Sequence, residues 1–377
     1  MTKNIARNGE GHTIILADPN TNPFTGRTDF TGSYNYDFAK RVYESLHAID
    51  SGYEFGEVNI KYFEDTDLEV HLPKSVRGKH CVFIHDACKF TPSWYTELTL
   101  VGQVIGASSG KETTFILPKF KLSRSDQMNV ERTSVGAAAV AKEIRDYGNR
   151  IVTIDIHNRG IIGSFLQPPI TAFDNLDSFP IAVEYFHDAG LLENAVIVSP
   201  DDGGTKRARA FSARAEDIIE MRTGTRIEVP HTNGLKFRDS SGKVKEIRID
   251  YDFKDKIAIV VDDELGTGGT ANDITKLIYN QGAIQVAGYF SHGLFTKGIG
   301  NVDSRIDPLV VLDTVPNTQI ASSERVEVLS IAPYLAEVID RICTGGSISA
   351  LGMKEESEWS TNKNRRTVVS KSIEDQV

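Results

Sequence analysis

The strongest constraint in this chain is a recurring short run of apolar, β-branched residues that turns polar only at its end. Cys81-Val82-Phe83-Ile84-His85, Ile151-Val152-Thr153-Ile154-Asp155-Ile156, Ala195-Val196-Ile197-Val198 and Ile257-Ala258-Ile259-Val260-Val261 are such runs. Continuous rather than alternating apolar character describes strands covered on both faces, as in a parallel sheet. Between the runs lie helical patterns: Val135–Tyr147 is Ala-rich, and Thr270–Gly282 has apolar residues at helical spacing and ends on a glycine. Strand–helix alternation predicts α/β architecture. In such sheets ligands gather beyond the carboxyl ends of the strands, so the residues just after each run carry the functional information.

The 377 residues suffice for two domains. The expected division is 12–170, 171–352, and a charged tail, 353–377, expected to be disordered. The stretch 234–247 contains Asp239-Ser240-Ser241-Gly242 and reads as a hairpin or mobile loop. A net charge of −10 argues against a general grip on nucleic-acid backbone. Three cysteines, Cys81, Cys88 and Cys343, form no CxxC pair and no disulfide framework. Met1–Gly11 lacks an apolar signal region, and no apolar run is long enough to span a bilayer. The expectation is a soluble, cytoplasmic protein with neither nucleic acid nor membrane as partner, in the host cytoplasm if the gene is carried by a phage.

The most specific motif is Ile257–Thr270: an apolar strand, then Asp262-Asp263-Glu264, then Leu265-Gly266-Thr267-Gly268-Gly269-Thr270 opening a helix. Backbone N–H groups of Thr267–Thr270 and the helix N-terminus suit a phosphate. Gly268 and Gly269 permit close backbone approach. Asp262 and Asp263 can accept from ribose hydroxyls or hold Mg²⁺ through water. The segment resembles the loop that binds 5-phosphoribosyl diphosphate (PRPP) in phosphoribosyltransferases and PRPP synthetases.

Further segments separate those families. Ser199-Pro200-Asp201-Asp202-Gly203-Gly204-Thr205-Lys206-Arg207-Ala208 and Asp155-Ile156-His157 each follow a strand. Arg124-Ser125-Asp126 and Arg132 precede the Ala-rich helix, Phe63-Glu64-Asp65-Thr66-Asp67 precedes Ser75-Val76-Arg77-Gly78, and Asp313-Thr314-Val315-Pro316 comes near the end. In this order, from Ile14 to Leu351, they resemble the PRPP synthetases. That resemblance implies two phosphoribosyltransferase-type, Rossmann-like domains related by a pseudo-twofold, and homo-oligomers from dimer to hexamer. It also implies transfer of diphosphate from ATP, with Mg²⁺, to a 5-phosphorylated ribose. By position it assigns Phe63, Asp65, Asp67, Arg124, Asp126, Arg132 and His157 to ATP. Asp201, Asp262, Asp263, Gly266, Thr267, Gly268, Gly269 and Thr270 fall to the ribose phosphate, and His157 and Asp201 to the metal. His157, Lys206 and Arg222 are the catalytic candidates, His157 and Asp201 being read as projecting from one sheet edge.

Three departures bear on function. Gly266 stands where the family usually carries a third acid, and Ser125 where it usually has Gln. Ile218–Thr223 is read as the mobile catalytic loop, with Met221 in the place of its lysine and Arg222 or Arg226 substituting. Three readings follow: a PRPP synthetase acting on ribose 5-phosphate, a variant whose acceptor is ADP-ribose in NAD resynthesis, and a non-catalytic regulatory homologue. A transferase using PRPP as donor fits the duplicated pattern less well.

Overall fold

The computed structural model describes residues 13–20, 34–85, 87, 89–128, 130–238, 244–317, 320 and 323–352. The expectations for Met1–Gly11, Cys88 and the tail from 353 lie outside the described residues. Compactness divides the chain into two units. One contains the residues up to Leu176 with Thr314–Pro316 and Ala332–Leu351; the other contains Asp177–Asp313 and Asn317–Ile331.

The first unit runs β1 (Thr13–Ala17), α1 (Tyr34–Ile49), β2 (Glu54–Glu57), β3 (Asn59–Tyr62), β4 (Leu68–His71), β5 (His80–Ile84), α2 (Thr91–Ala107), β6 (Glu112–Leu117), α3 (Gly136–Ile144), β7 (Arg150–Ile154) and β8 (Ala172–Leu176). Six strands form one sheet in the order β2-β1-β5-β6-β7-β8, every neighbouring pair parallel. β3 and β4 form a separate antiparallel hairpin. The continuous apolar runs have the cause expected of them, since Ile14, Ile15, Leu16, Val82, Phe83 and Ile84 are all buried. Phe83, Phe115, Trp94 and Phe120 fill the space between sheet and helices, and burial of each such side chain contributes about 1.5–3 kcal/mol. The run beginning at Ile151 ends as a strand at Ile154 because Asp155 adopts φ 43°, which turns the chain.

The second unit runs α4 (Phe179–Asp188), β9 (Ala195–Ser199), α5 (Thr205–Thr223), β10 (His231–Arg238), β11 (Val244–Ile249), β12 (Ile257–Leu265), α6 (Gly269–Asn280), β13 (Gln285–Gly293), β14 (Ile306–Leu312) and β15 (Val326–Leu329). Its sheet has the order β11-β10-β9-β12-β13-β14-β15, parallel except for the antiparallel β10–β11 hairpin. The hairpin reading of 234–247 holds, with 239–243 outside the described residues.

Two boundaries differ from expectation. The chain passes out of the first unit after Leu176, the end of a strand paired with β7, rather than at Thr171. A last helix, α7 (Ala332–Thr344), belongs to the first unit, although 171–352 was expected to form one domain. Tyr53 donates to Asp340 at 2.8 Å, and Thr13 donates to the Cys343 sulfur at 3.6 Å. Leu335, Val338 and Ile339 are buried, so this helix has an apolar face that the first unit covers.

β10 enters the sheet through a tight passage. A Cβ on Gly234 would stand 2.7 Å from Ile274 Cδ1 and 2.8 Å from the Pro200 carbonyl oxygen. The backbone oxygen cannot yield as a flexible side chain does. Gly234→Ala is therefore expected to cost about 1–3 kcal/mol of stability through overpacking. Thermal unfolding checks this, and an unchanged midpoint would show that the strand can shift without cost.

Candidate active site

In the second unit, the polar ends of β9, β10 and β12 meet at the start of α5 and α6. Strand β12 continues through the acidic residues to Leu265, its last pairing being Leu265 with Gly293. The acidic pair is thus part of the strand rather than of the turn after it. Alternation leaves Asp262 and Glu264 half-buried while Asp263 and Leu265 are buried.

Arg207, in the first turn of α5, joins the two acids. Its guanidinium stands 2.7 Å from Asp262 Oδ1 and 3.2 Å from Asp263 Oδ1. Asp262 Oδ1 also accepts from the Asp263 N–H at 2.9 Å. Burial and the neighbouring Asp263 carboxylate push the Asp262 carboxyl well above its ordinary value, and Arg207 opposes both.

The turn itself is held open from behind. Gly268 has φ 81° and caps α6, and a Cβ there would stand 3.1 Å from Val302. The Asn301 amide donates to the Thr267 carbonyl at 2.5 Å, the Asn272 amide to the Asn301 carbonyl at 2.7 Å, and Thr296 N–H to the Gly266 carbonyl at 3.0 Å. With those carbonyls bonded outward, the turn can present its N–H groups to an anion. Gly269 N–H lies 3.4 Å from Thr267 Oγ1.

Lys236 on β10 completes the group. Its ammonium lies 2.8 Å from Asp201 Oδ2 and donates to Thr270 Oγ1 at 3.3 Å. It links the end of β9 to the turn at the start of α6. Lys236 was absent from the sequence candidates. The reading of Ile218–Thr223 as the catalytic loop is corrected here, because these residues form the last turn of α5. Buried Ala208, Phe211, Ser212, Ala215, Ile218 and Ile219 recur at helical spacing, and Gly224 ends the helix at φ 73°. That period, and the glycine, were visible signals for a helix.

Arg222 consequently lies 15 residues beyond Arg207 on one helix, about 22 Å at the helical rise. It pairs with Glu184 at 3.8 Å. Arg226 is bound to Glu216, Asp217 and Glu220 at 2.8, 3.2 and 3.0 Å. The geometry brings neither arginine to the turn. Lys206 is exposed on the first turn of α5.

The remaining candidates lie in the first unit. His157 is exposed, three residues beyond β7. Asp155 before it is buried with φ 43°, and Ile156 N–H is fixed by Asn175 at 2.7 Å. Asp126 accepts from the Asn158 amide at 2.5 Å, which ties the Arg124 segment to the His157 loop. Ser125 accepts from Gly136 N–H at 3.0 Å, so it serves the start of α3. Arg124 is exposed, and so is Arg132, whose φ is 66°. Phe63, Asp65 and Asp67 form the tip of the β3–β4 hairpin, where Phe63 N–H donates to the Asp67 carbonyl at 2.8 Å. His157 and Asp201 follow strands of two different sheets, so the expectation of one shared sheet edge is corrected.

Among the described residues no group of three His, Cys, Asp or Glu side chains is arranged to cage a metal. Mg²⁺ does not require one, since it commonly binds one or two carboxylates, several waters and substrate phosphates. The half-exposed Asp201 carboxylate fits that mode. Among the described residues no helix is long and apolar enough to cross a membrane.

Comparison with known proteins places this geometry. Residues 29–148 match the N-terminal domain of ribose phosphate pyrophosphokinase, and residues 236–352 match the phosphoribosyl synthetase-associated domain. The chain is 32% identical over 331 residues to a ribose-phosphate pyrophosphokinase of Marinomonas sp., covering 85% of this chain and 97% of that one. It is 31% identical over 303 residues to that of Aquifex aeolicus, covering 80% and 92%. The fold matches the crystal structure of phosphoribosylpyrophosphate synthetase from Mycobacterium smegmatis with a TM-score of 0.72 at 23% identity, over 89% of this chain and all of that one. The chain belongs to the ribose-phosphate pyrophosphokinase family, and is an enzyme of that transferase class.

The Asp262–Arg207–Asp263 group has a measurable pH signature. A carboxyl raised in the folded state contributes stability that is present below its unfolded value of about 4 and lost as pH rises. Arg207→Met removes the opposing charge and raises the Asp262 carboxyl further. The variant should lose up to about 3 kcal/mol relative to the wild type. The pH-dependent part of the loss should grow as pH rises through about 8 and be small towards pH 4. Thermal unfolding across that range checks it, and a pH-independent loss would remove the electrostatic account.

Proposed function

We propose that this protein transfers the β,γ-diphosphate of Mg²⁺-ATP to the 1-hydroxyl of ribose 5-phosphate, releasing AMP. The observation that carries the reading is the cation Lys236 held between Asp201 and the phosphate-type turn at Thr270. Diphosphate transfer asks of the protein mainly positioning, and neutralisation of charge that spreads over phosphoryl oxygens. In this reading the turn from Gly266 to Thr270 holds the 5-phosphate with its N–H groups and hydroxyls. Asp262 and Asp263, kept in place by Arg207, accept from the ribose hydroxyls. Lys236 exchanges Asp201 for the reacting phosphates, and Lys206 adds a second cation. Phe63, Asp65, Asp67, Arg124, Asp126, Arg132 and His157 bind ATP. Bound Mg²⁺, held through Asp201 together with phosphate oxygens and water, would neutralise the charge of the diphosphate. Arg222 has no part in this mechanism.

Lys236→Met should lower kcat about a hundredfold without moving the unfolding midpoint by more than about 0.5 kcal/mol equivalent. Adding Met221→Lys to it should restore nothing. Wild-type turnover in Lys236→Met would return the role to another cation.

One observation favours a second acceptor, ADP-ribose. Gly266 has no backbone reason to be glycine, since its φ is not positive and a Cβ would meet nothing nearer than Glu264 Oε1 at 4.0 Å. A missing acid there removes a carboxylate from beside a second phosphate, where repulsion would be costly. AMP release with ribose 5-phosphate and with ADP-ribose, offered separately, decides between the two. If ADP-ribose is the acceptor, Gly266→Asp should impair its use far more than that of ribose 5-phosphate. Release with ribose 5-phosphate alone removes the second reading, and release with neither favours the regulatory homologue.

A further inference from the structure

The two sheets share an order: β2-β1-β5-β6-β7-β8 in one unit corresponds to β10-β9-β12-β13-β14-β15 in the other. The ends of β9 and β12 carry the phosphate-type turn, so the ends of β1 and β5 are its counterpart. There the chain does something else. Asp18 follows β1, His85 follows β5, and Lys89 precedes α2, which supplies Glu97; all four are buried. The Lys89 ammonium lies 3.2 Å from Asp18 Oδ2 and 2.6 Å from Glu97 Oε2. His85 Nε2 is 3.0 Å from the Trp94 carbonyl and 3.5 Å from Glu97. Burial pushes this imidazole well below its ordinary value, so it is neutral.

Both acids also accept from β3, Asp18 in addition to the backbone and side-chain N–H groups of Asn20, each at 3.0 Å. Tyr62 OH donates to Glu97 Oε1 at 2.5 Å, and Ile60 N–H donates to Asp18 Oδ1 at 3.4 Å. β3 has no ladder to the main sheet. The β3–β4 hairpin is attached by these bonds, by the Val58 N–H donating to the Ala17 carbonyl at 2.9 Å just before β3, and by Ile60, Tyr62, Leu68 and Val70 packed on the core. The residue after Tyr62 is Phe63, the start of the exposed tip.

We infer that the Asp18–Lys89–Glu97 cluster is a positioning device, which uses Tyr62 to hold the Phe63–Asp67 tip in register for the nucleotide. This rests on the proposed role of that tip in ATP binding. A buried ion pair orients its members firmly because leaving either unpaired is costly, and its fixed geometry passes to β3 through the short Tyr62 hydrogen bond and the longer one from Ile60 N–H. Tyr62 and Glu97 touch no substrate and act through the hairpin.

Tyr62→Phe removes one hydroxyl and keeps the ring. Loss of that hydrogen bond should speed amide exchange across 59–71 about fivefold. It should raise KM for ATP by a similar factor, leaving kcat and the KM for ribose 5-phosphate within about twofold. A merely structural hydroxyl would lower stability without this split. Unchanged exchange across 59–71 overturns the inference. Faster exchange with unchanged KM for ATP also overturns it, if Phe63→Ala raises that KM. If Phe63→Ala leaves the KM unchanged too, the failure lies in the nucleotide role of the tip, and the inference falls with it.

Discussion

The polar groups at the ends of the two main sheets answer to one constraint: the central strands of those sheets are parallel and covered on both faces. A strand buried in this way admits mainly uncharged side chains along its length, so charge is pushed to the strand ends. Asp18, His85, Asp155, Asp201, Asp262 and Asp263 are all at or just beyond such an end. There they are partly shielded from water and obliged to find partners. Arg207 with Asp262 and Asp263, Lys236 with Asp201, and Lys89 with Asp18 and Glu97 are three answers to that requirement.

The answers differ in how much water they keep. Asp201 retains 40% side-chain exposure and Asp262 25%, whereas Asp18 and Glu97 retain 3% and 0%. A pair open to solvent can exchange its partner for a ligand at modest cost. A pair closed to solvent cannot, because each charge stripped of its partner is left in a poor dielectric. The same sheet order therefore carries a solvent-open charged group in one unit and a closed one in the other. The difference comes from Lys89, Glu97 and Tyr62 against Gly266, Gly268 and Gly269.

Legibility followed the range of the interactions. The strand–turn–helix unit could be read because its parts are contiguous: strand, acids, glycines and helix start fall within Ile257–Thr270. Gly268 is needed for its positive φ and its closeness to Val302, and a strand–turn–helix pattern announces such a glycine. Lys236 could not be found by the same means. It lies 35 residues from Asp201 and 34 from Thr270, and the intervening helix was mistaken for the loop. α7 shows the same limit, since its amphipathic pattern declares a buried face but not which unit covers it.

Taken alone, the sequence determined the α/β class, the family and the strand–turn–helix order of Ile257–Thr270. Periodicity and contiguous motifs depend on bonds a few residues long. Only the tertiary structure decided which cation meets Asp201, that Arg222 lies far along a helix, that His157 and Asp201 belong to different sheets, and that Glu97 holds Tyr62. Those facts rest on strand order and on long-range pairing, where residues distant in the chain are brought together by a buried sheet that no local pattern encodes.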